Sequence, residues 1–434
     1  MNLNLSFVPE RNCSLGRKGY SNRSMICAFI VMKCEGFSFI SDLVDFLKNN
    51  LIIAHYAGFD IFRPLPSYWS FERFIKNFDN SILKSIMKNQ VSSLAKKGVI
   101  DSSFIGLDST PVFANTSQNN PKSFSKNKFS KSNQPVSDKD CRLGVHSASN
   151  QFNEKNFDFY WGYKNHTLVD LISGLPIYEF TCTANVSDSS VTLDVLSDTH
   201  LFLPLDDCTF IADNGYDVKY IYNKVHELYN GECIIPLNKR NSKNHTLSNG
   251  CLICDAGLKM KNSGTFSDSG RTRRKFICPL RYSKSDVCPC NHKNFFNVRK
   301  NRGCNRYITV PDDLRLGIDR NSKLFKTTYS LRSECDRYNS RFKKTGQEMV
   351  FVRNISSVTN LNTIAHISLL AVAVSAIICK STPLFAVQII CRLGCFHDFF
   401  VLKNLILFVI FIFSCVSFVI YVWGCVFLFH FAHL

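Results

Sequence analysis

Two aspartates stand where a carboxylate can do chemistry. Asp108 emerges from the apolar run "SSFIGLDSTPV", and Asp213 ends the apolar part of "CTFIADNGYD", directly before an Asn-Gly turn. In an α/β sheet, strand ends of this kind meet at one edge, so carboxylates far apart in sequence can converge there. Clustered carboxylates suit a hard divalent cation, Mg2+ or Mn2+, which takes oxygen ligands and keeps positions open for water and phosphate oxygens. Two such ions about 3.5–4 Å apart can activate a nucleophile and stabilise the leaving oxygen of a phosphodiester displacement. A strand-end aspartate also commonly caps a turn, and for Asp213 taken alone that is the simpler account.

A third acid is available in "YSLRSECDRYNSRFKKTG", Tyr329 to Gly346, which has helical phasing. Glu334 and Asp336 lie only two positions apart, so at about 100° per residue they project roughly 200° apart and cannot both face one site. Tyr329, Arg332, Asp336 and Lys343 fall within one stripe. Asp336 is therefore the third candidate, and Glu334, the less favoured substitute, is read as a solvent-facing neighbour.

Several further stretches accompany these acids in order: "GLDSTPVFANT", "WGYKNHTLVD", "SGLPIYEFTCTANVSDS", "IADNGYD" and "IPLNKR". Together with the Tyr329–Gly346 stretch they resemble the DDE transposases of bacterial insertion sequences, over roughly residues 30 to 378. The resemblance implies an α/β, ribonuclease-H-like catalytic core in which Asp108, Asp213 and Asp336 hold two Mg2+ (or Mn2+) ions. Water would attack a phosphodiester at the element's end, and the freed 3′-hydroxyl would attack target DNA. It implies phosphate contacts near the transposon end for Tyr329, Arg332 and Lys343. Lys164 and His166 become candidate backbone contacts, with a structural hydrogen bond as the alternative for His166. The implied partners are inverted-repeat ends and target DNA, bound by a homodimer in the synaptic complex, in the cytoplasm at the nucleoid. One departure stands out. The family's helix reads Tyr, two residues, Arg, three residues, Glu, six residues, Lys, and here the Glu slot holds Asp336. Aspartate is one methylene shorter, and misplacement by ~1 Å can cost on the order of a hundredfold in rate. An inactive, DNA-binding copy is thus a standing alternative.

The elements that must position these residues follow from pattern. Residues 1–100 read as a helical region for DNA contact or dimerisation, with apolar residues at three- and four-residue spacing and a break at "RPLPS". Residues 101–238 alternate strands and helices, the first part of an α/β core. Within them 115–156 reads as a loop, and "FYWGYKNHTLVDLISGLPIYEFTCTAN" reads as two strands joined at Ser173-Gly174. "VKYIYNKVHELYNG" reads as a helix closed by Gly231. Residues 239–310 form a basic, Cys-rich insertion. The last part of the core, 311–380, carries the third acid, followed by "LNTIAHISLLAVAVSAII", an apolar helix expected to pack in the core.

The chain has 434 residues, 52 Lys+Arg against 34 Asp+Glu, and a formal net charge of +18. That surplus favours a polyanionic partner, nucleic acid or an anionic membrane surface. The 19 cysteines are odd in number and irregular in spacing, which argues against a disulfide scaffold. Cys251, Cys254, Cys278, Cys288 and Cys290, with His292 and Cys304 in reserve, offer tetrahedral Zn2+ a ligand set; unliganded thiols are the alternative. Residues 381–434 end in Leu405 to Phe429, which has no charged residue and is long enough to span a bilayer. A basic, membrane-anchored protein is therefore a rival reading. The preceding motifs favour a frameshift-derived tail and no membrane partner.

Overall fold

The structure, a computed structural model, describes residues 3–10, 19–123, 127–149, 155–238, 252–268, 271–282, 303–310, 314–320 and 322–378, with Val287, Pro289 and Phe295 singly. The apolar tail, 381–434, lies outside the described residues.

The chain opens with helices α1 (Asn22–Cys34), α2 (Ile40–Asn49), α3 (Leu51–Tyr56), α4 (Tyr68–Asn77) and α5 (Asn80–Lys96). Ser21 and Asp79 cap α1 and α5 by accepting the amides of Ser24 and Ser81. Pro64 and Pro66 keep α3 and α4 apart.

The sheet is built on β1 (Phe104–Phe113), which runs antiparallel to the long β3 (Lys155–Asp170) and places Asp108 opposite Thr167. The first half of β3 pairs with β2 (Arg142–Ser149) and the second half with β4 (Pro176–Thr183). Beyond β1, β5 (Thr209–Ile211) and β6 (Glu232–Ile234) are parallel, and each is reached through a crossover helix, α6 (Thr192–His200) and α7 (Lys219–Tyr229). The order β2-β3-β1-β5-β6, with β4 on β3, makes a mixed α/β core of ribonuclease-H-like type. Two local expectations change. The stretch 115–156 is not all loop, because β2 forms in it on the edge of β3. Helix α7 is closed by Asn230 (φ 51°) rather than by Gly231. Gly231 is needed instead for close approach: a Cβ there would meet the Cys208 carbonyl oxygen at 2.6 Å.

In the insertion, β7 (Lys261–Asp268), β8 (Arg271–Ile277) and β9 (Asn305–Val310) form a separate antiparallel sheet. It packs on a small core of Leu252, Cys254, Met260 and Phe276. The chain then continues through α8 (Leu314–Gly317), α9 (Lys323–Tyr329), α10 (Ser333–Phe342) and α11 (Ile355–Ile378). By length and composition α11 would pass as a membrane span, yet 67% of its apolar window is buried within the protein. It packs on α5, α1, α4 and β4, so the N-terminal helices and the sheet share one hydrophobic core.

A lysine is trapped in that core. Lys33 on α1 is fully buried, and its Nζ donates to Gln347 Oε1 at 2.8 Å. Burial pushes its pKa down to about 7 from the ordinary 10.5. Between those two values the folded protein binds fewer protons than the unfolded chain, so stability rises with pH through that window. Below about pH 7 the burial penalty is fully present. Urea denaturation from pH 7 to 10 should show a slope of up to about 1.4 kcal/mol per pH unit that Lys33→Met abolishes. An unchanged slope in that variant would show that Lys33 is not the titrating group.

Candidate active site

Asp108 sits in the middle of β1 and Asp213 two residues beyond β5, so the parallel pairing of β1 with β5 brings both to one side of the sheet. The third element, α10, packs on β1. The chain enters it from α9 through a tight turn at Ser330–Arg332 and leaves it through a wider turn at Lys343–Gln347. The stripe survives these irregularities: Asp108, Asp213, Arg332, Asp336 and Lys343 line one cleft of about 500 Å3. Tyr329 lies at the end of α9, half-buried and stacked on Phe325 (5.8 Å), and does not line the cleft.

The electrostatics centre on Arg332. Its guanidinium reaches Asp336 Oδ2 at 2.7 Å and Asp108 Oδ2 at 3.2 Å, bridging the two carboxylates. Burial pushes the Asp108 carboxyl up to about 7; Arg332 draws it down, while Asp213 and Asp336 add to the rise. Burial by itself would lower Arg332, and Asp108 and Asp336 more than reverse that. Ser109 N–H donates to Asp108 Oδ1 (2.9 Å), and Asn339 Nδ2 donates to Asp108 Oδ2 (3.0 Å). Asp213 accepts the Gly215 amide at 2.7 Å, the turn-capping role its sequence context suggested, and still lines the cleft.

The two acids of α10 divide. Asp336 keeps 60% of its side-chain surface exposed at the cleft, whereas Glu334 keeps 8%. Glu334 does face away from Asp108, but not into solvent. It pairs with Arg337 and lies against the β3–β4 turn. There Gly174 (φ +71°) leaves room: a Cβ would sit 3.3 Å from Glu334 Oε2 and 3.1 Å from Arg341 Nη2. The helix has two packed faces because the turn docks on the second one, a tertiary contact that phase angles do not reveal.

Lys164 lines the cleft, but its Nζ is engaged by Asp188 (2.8 Å) and the Val186 carbonyl (3.1 Å). His166 is fully buried, with Nε2 against the Cys182 thiol at 3.3 Å and Nδ1 without a partner, and it does not line the cleft. It is therefore out of reach of a nucleic-acid backbone there: it shares the strand face of Lys164 but is fully covered, whereas Lys164 reaches the cleft. Asn339, Asp188 and His146 also line the cleft and were missed in the sequence. Asn339 had a visible signal, being three residues after Asp336 on the same helix face, and Asp188 falls within the stretch "SGLPIYEFTCTANVSDS".

Among the described residues, no three His, Cys, Asp or Glu side chains are gathered closely enough to share one ion as they stand. The donor set nevertheless fits a divalent cation, since three carboxylates face one cleft and a cationic side chain already bridges two of them. In the insertion, Cys251, Cys288, Cys290 and His292 lie outside the described residues. Cys254 and Cys278 are buried, and the Cys278 amide donates to the Cys304 carbonyl at 3.0 Å. Burial raises the Cys304 thiol, and Cys278 and Cys254 add to the rise.

A transposase DDE domain family matches residues 94–370, well over half of the chain. The chain belongs to that family, and its function is DNA transposition. Among solved structures it is similar to a piggyBac transposase synaptic complex with hairpin DNA (10% identity, 91% of this chain and 76% of that one, TM-score 0.37). It is also similar to a Mos1 transposase paired-end complex with the left transposon end (14% identity, 52% of this chain and 61% of that one, TM-score 0.17). No curated protein matches it.

The two faces of α10 make different predictions for stability. Glu334→Ala removes a buried, charge-assisted hydrogen bond and should lower unfolding free energy by about 1–2 kcal/mol in urea titrations. Asp336→Ala, at an exposed position, should shift it by less than half of that. Equal shifts would overturn this division of the helix.

Proposed function

We infer that the protein cleaves phosphodiester bonds at the ends of a mobile element and transfers the freed 3′ ends to target DNA, in a divalent-metal-dependent reaction. The observation that carries this reading is the meeting of Asp108, Asp213 and Asp336 on one cleft while Glu334 is turned away. Those three carboxylates would hold Mg2+ or Mn2+. A bound ion would supply Lewis-acid activation of the attacking oxygen and charge neutralisation at the leaving one. The chain's own cations do the rest. Arg332 and Lys343, the latter released from its pairing with Glu348, would bind scissile-strand phosphates, which would make binding steeply salt-dependent. Lys164, also at the cleft, is neutralised by its ion pair with Asp188. Two ends must be paired, so a homodimer on DNA is part of the proposal.

A second reading rests on the Asp336 side chain. It is shorter than the family's glutamate and bonds to Arg332, as expected of a copy that binds ends without cutting them.

The test is cleavage of a labelled element end with Mg2+ or Mn2+, comparing wild type with Asp336→Ala, Asp336→Glu and Glu334→Ala. Asp336→Ala should lose at least about a hundredfold in rate, while Asp336→Glu retains or gains activity. Loss in Glu334→Ala with Asp336→Ala intact would transfer the role to Glu334. An inactive wild type restored by Asp336→Glu would establish the second reading.

A further inference from the structure

We propose that Asn339 is a positioning residue for Asp108, the group that keeps this carboxylate aimed into the cleft when a divalent cation enters. The inference rests on the metal-dependent reading above. In the structure Asp108 Oδ2 takes two donors from the same helical face, Arg332 Nη2 at 3.2 Å and Asn339 Nδ2 at 3.0 Å. Seven residues of helix turn through about 700°, so Asn339 lies almost directly below Arg332, with Asp336 between them.

The two donors respond differently to a cation. Arg332 bridges Asp108 and Asp336 with a positive charge, the place and sign that a divalent ion between these carboxylates would take. Like charges at such range repel strongly in a partly buried site, so the guanidinium must withdraw. Its hold is through those same two carboxylates, which the ion would engage, while Arg332 Nε is buried without a partner. Asn339 is neutral and has no reason to leave. Its amide uses one lone pair of Oδ2 and leaves the other for a ligand. The Ser109 amide anchors the other oxygen. Once Arg332 has moved, Ser109 and Asn339 are the donors that fix the Asp108 side chain. Loss of such an outer partner typically costs 10–100-fold in metal affinity.

The experiment is calorimetric titration of the full-length, DNA-free protein with Mn2+ alone, paired with the Mn2+ dependence of end cleavage. Asn339→Leu should raise the Mn2+ dissociation constant about tenfold and shift cleavage to higher Mn2+, with most of the maximal rate regained at saturation. Asn339→Gln, which keeps the donor, should recover part of the affinity. Arg332→Gln should bind Mn2+ as tightly as wild type or more tightly, since it removes a competing cation. Where the leucine variant does not fold, Asn339→Ala takes its place. Wild-type Mn2+ affinity in the Asn339 variant would overturn the proposal, as would equal weakening by Arg332→Gln. Asp108→Ala separates the two levels. If it binds Mn2+ like wild type, the carboxylate reading itself fails; if it loses binding while Asn339→Leu does not, only the role of Asn339 falls.

Discussion

The architecture depends on a carboxylate that never meets water. Glu179, fully buried on β4, accepts from Asn165 Nδ2 (2.9 Å), Thr181 Oγ1 (3.1 Å) and Thr363 Oγ1 (2.7 Å). A buried carboxyl group is tolerated only when its oxygens are satisfied, so the strands that supply two donors and the helix that supplies the third must hold one arrangement. Asn165 is thereby oriented with its carbonyl turned away from Glu179, where it accepts the Thr167 hydroxyl and meets His366 Nε2, each at 2.9 Å. The histidine must then present a bare Nδ1, which accepts the Tyr338 hydroxyl. Burial pushes His366 down to about 3, which keeps it neutral as this pattern requires.

Tyr338 is the link to function. It stands two residues after Asp336 and faces the opposite way, so the helix carrying the third acid is fastened from behind by the same network. His366 stacks on both Tyr338 (5.7 Å) and Phe342 (4.7 Å). The network also runs outward: Asn362 joins Thr181 to Gln347, and Gln347 accepts from Lys33 on α1. Asn360 meanwhile accepts from Asn80 on α5 and donates to the Ile75 and Phe78 carbonyls at the end of α4. The N-terminal helices are therefore not an appendage hung beside a catalytic core. They complete the polar accounting of α11, and α11 is what the acid helix leans on.

This explains a helix whose composition suits lipid but whose surroundings are protein. A bilayer would leave Asn360, Asn362, Thr363 and His366 without partners, at a cost of several kcal/mol each. In the fold each of them has a partner. At the cleft the logic is reversed. Asp108, Asp213 and Asp336 are gathered with too little positive charge of their own, and Arg332 is stretched between two of them. Such a surplus of negative charge favours an added cation.

The sequence by itself determined the elements and the pairing of chemistry with place. Apolar runs marked the neighbouring strands that carry Asp108 and Asp213, although Asp108 falls in mid-strand rather than at a strand end, helical phase separated Asp336 from Glu334, and apolar spacing marked α11 as a core helix. These are local properties, set by backbone geometry and by which side chains avoid water. What only the tertiary structure decided is how the polar groups are spent. Glu334 is covered because the β3–β4 turn docks on it, Lys164 is tied to Asp188, His166 is sealed beside Cys182, and Asn339 rather than a charged residue shares Asp108 with Arg332. Each depends on a partner between 3 and more than 200 residues away. A hydrogen bond is a statement about distance in space, and sequence spacing constrains that only within a helix turn or across a strand pair.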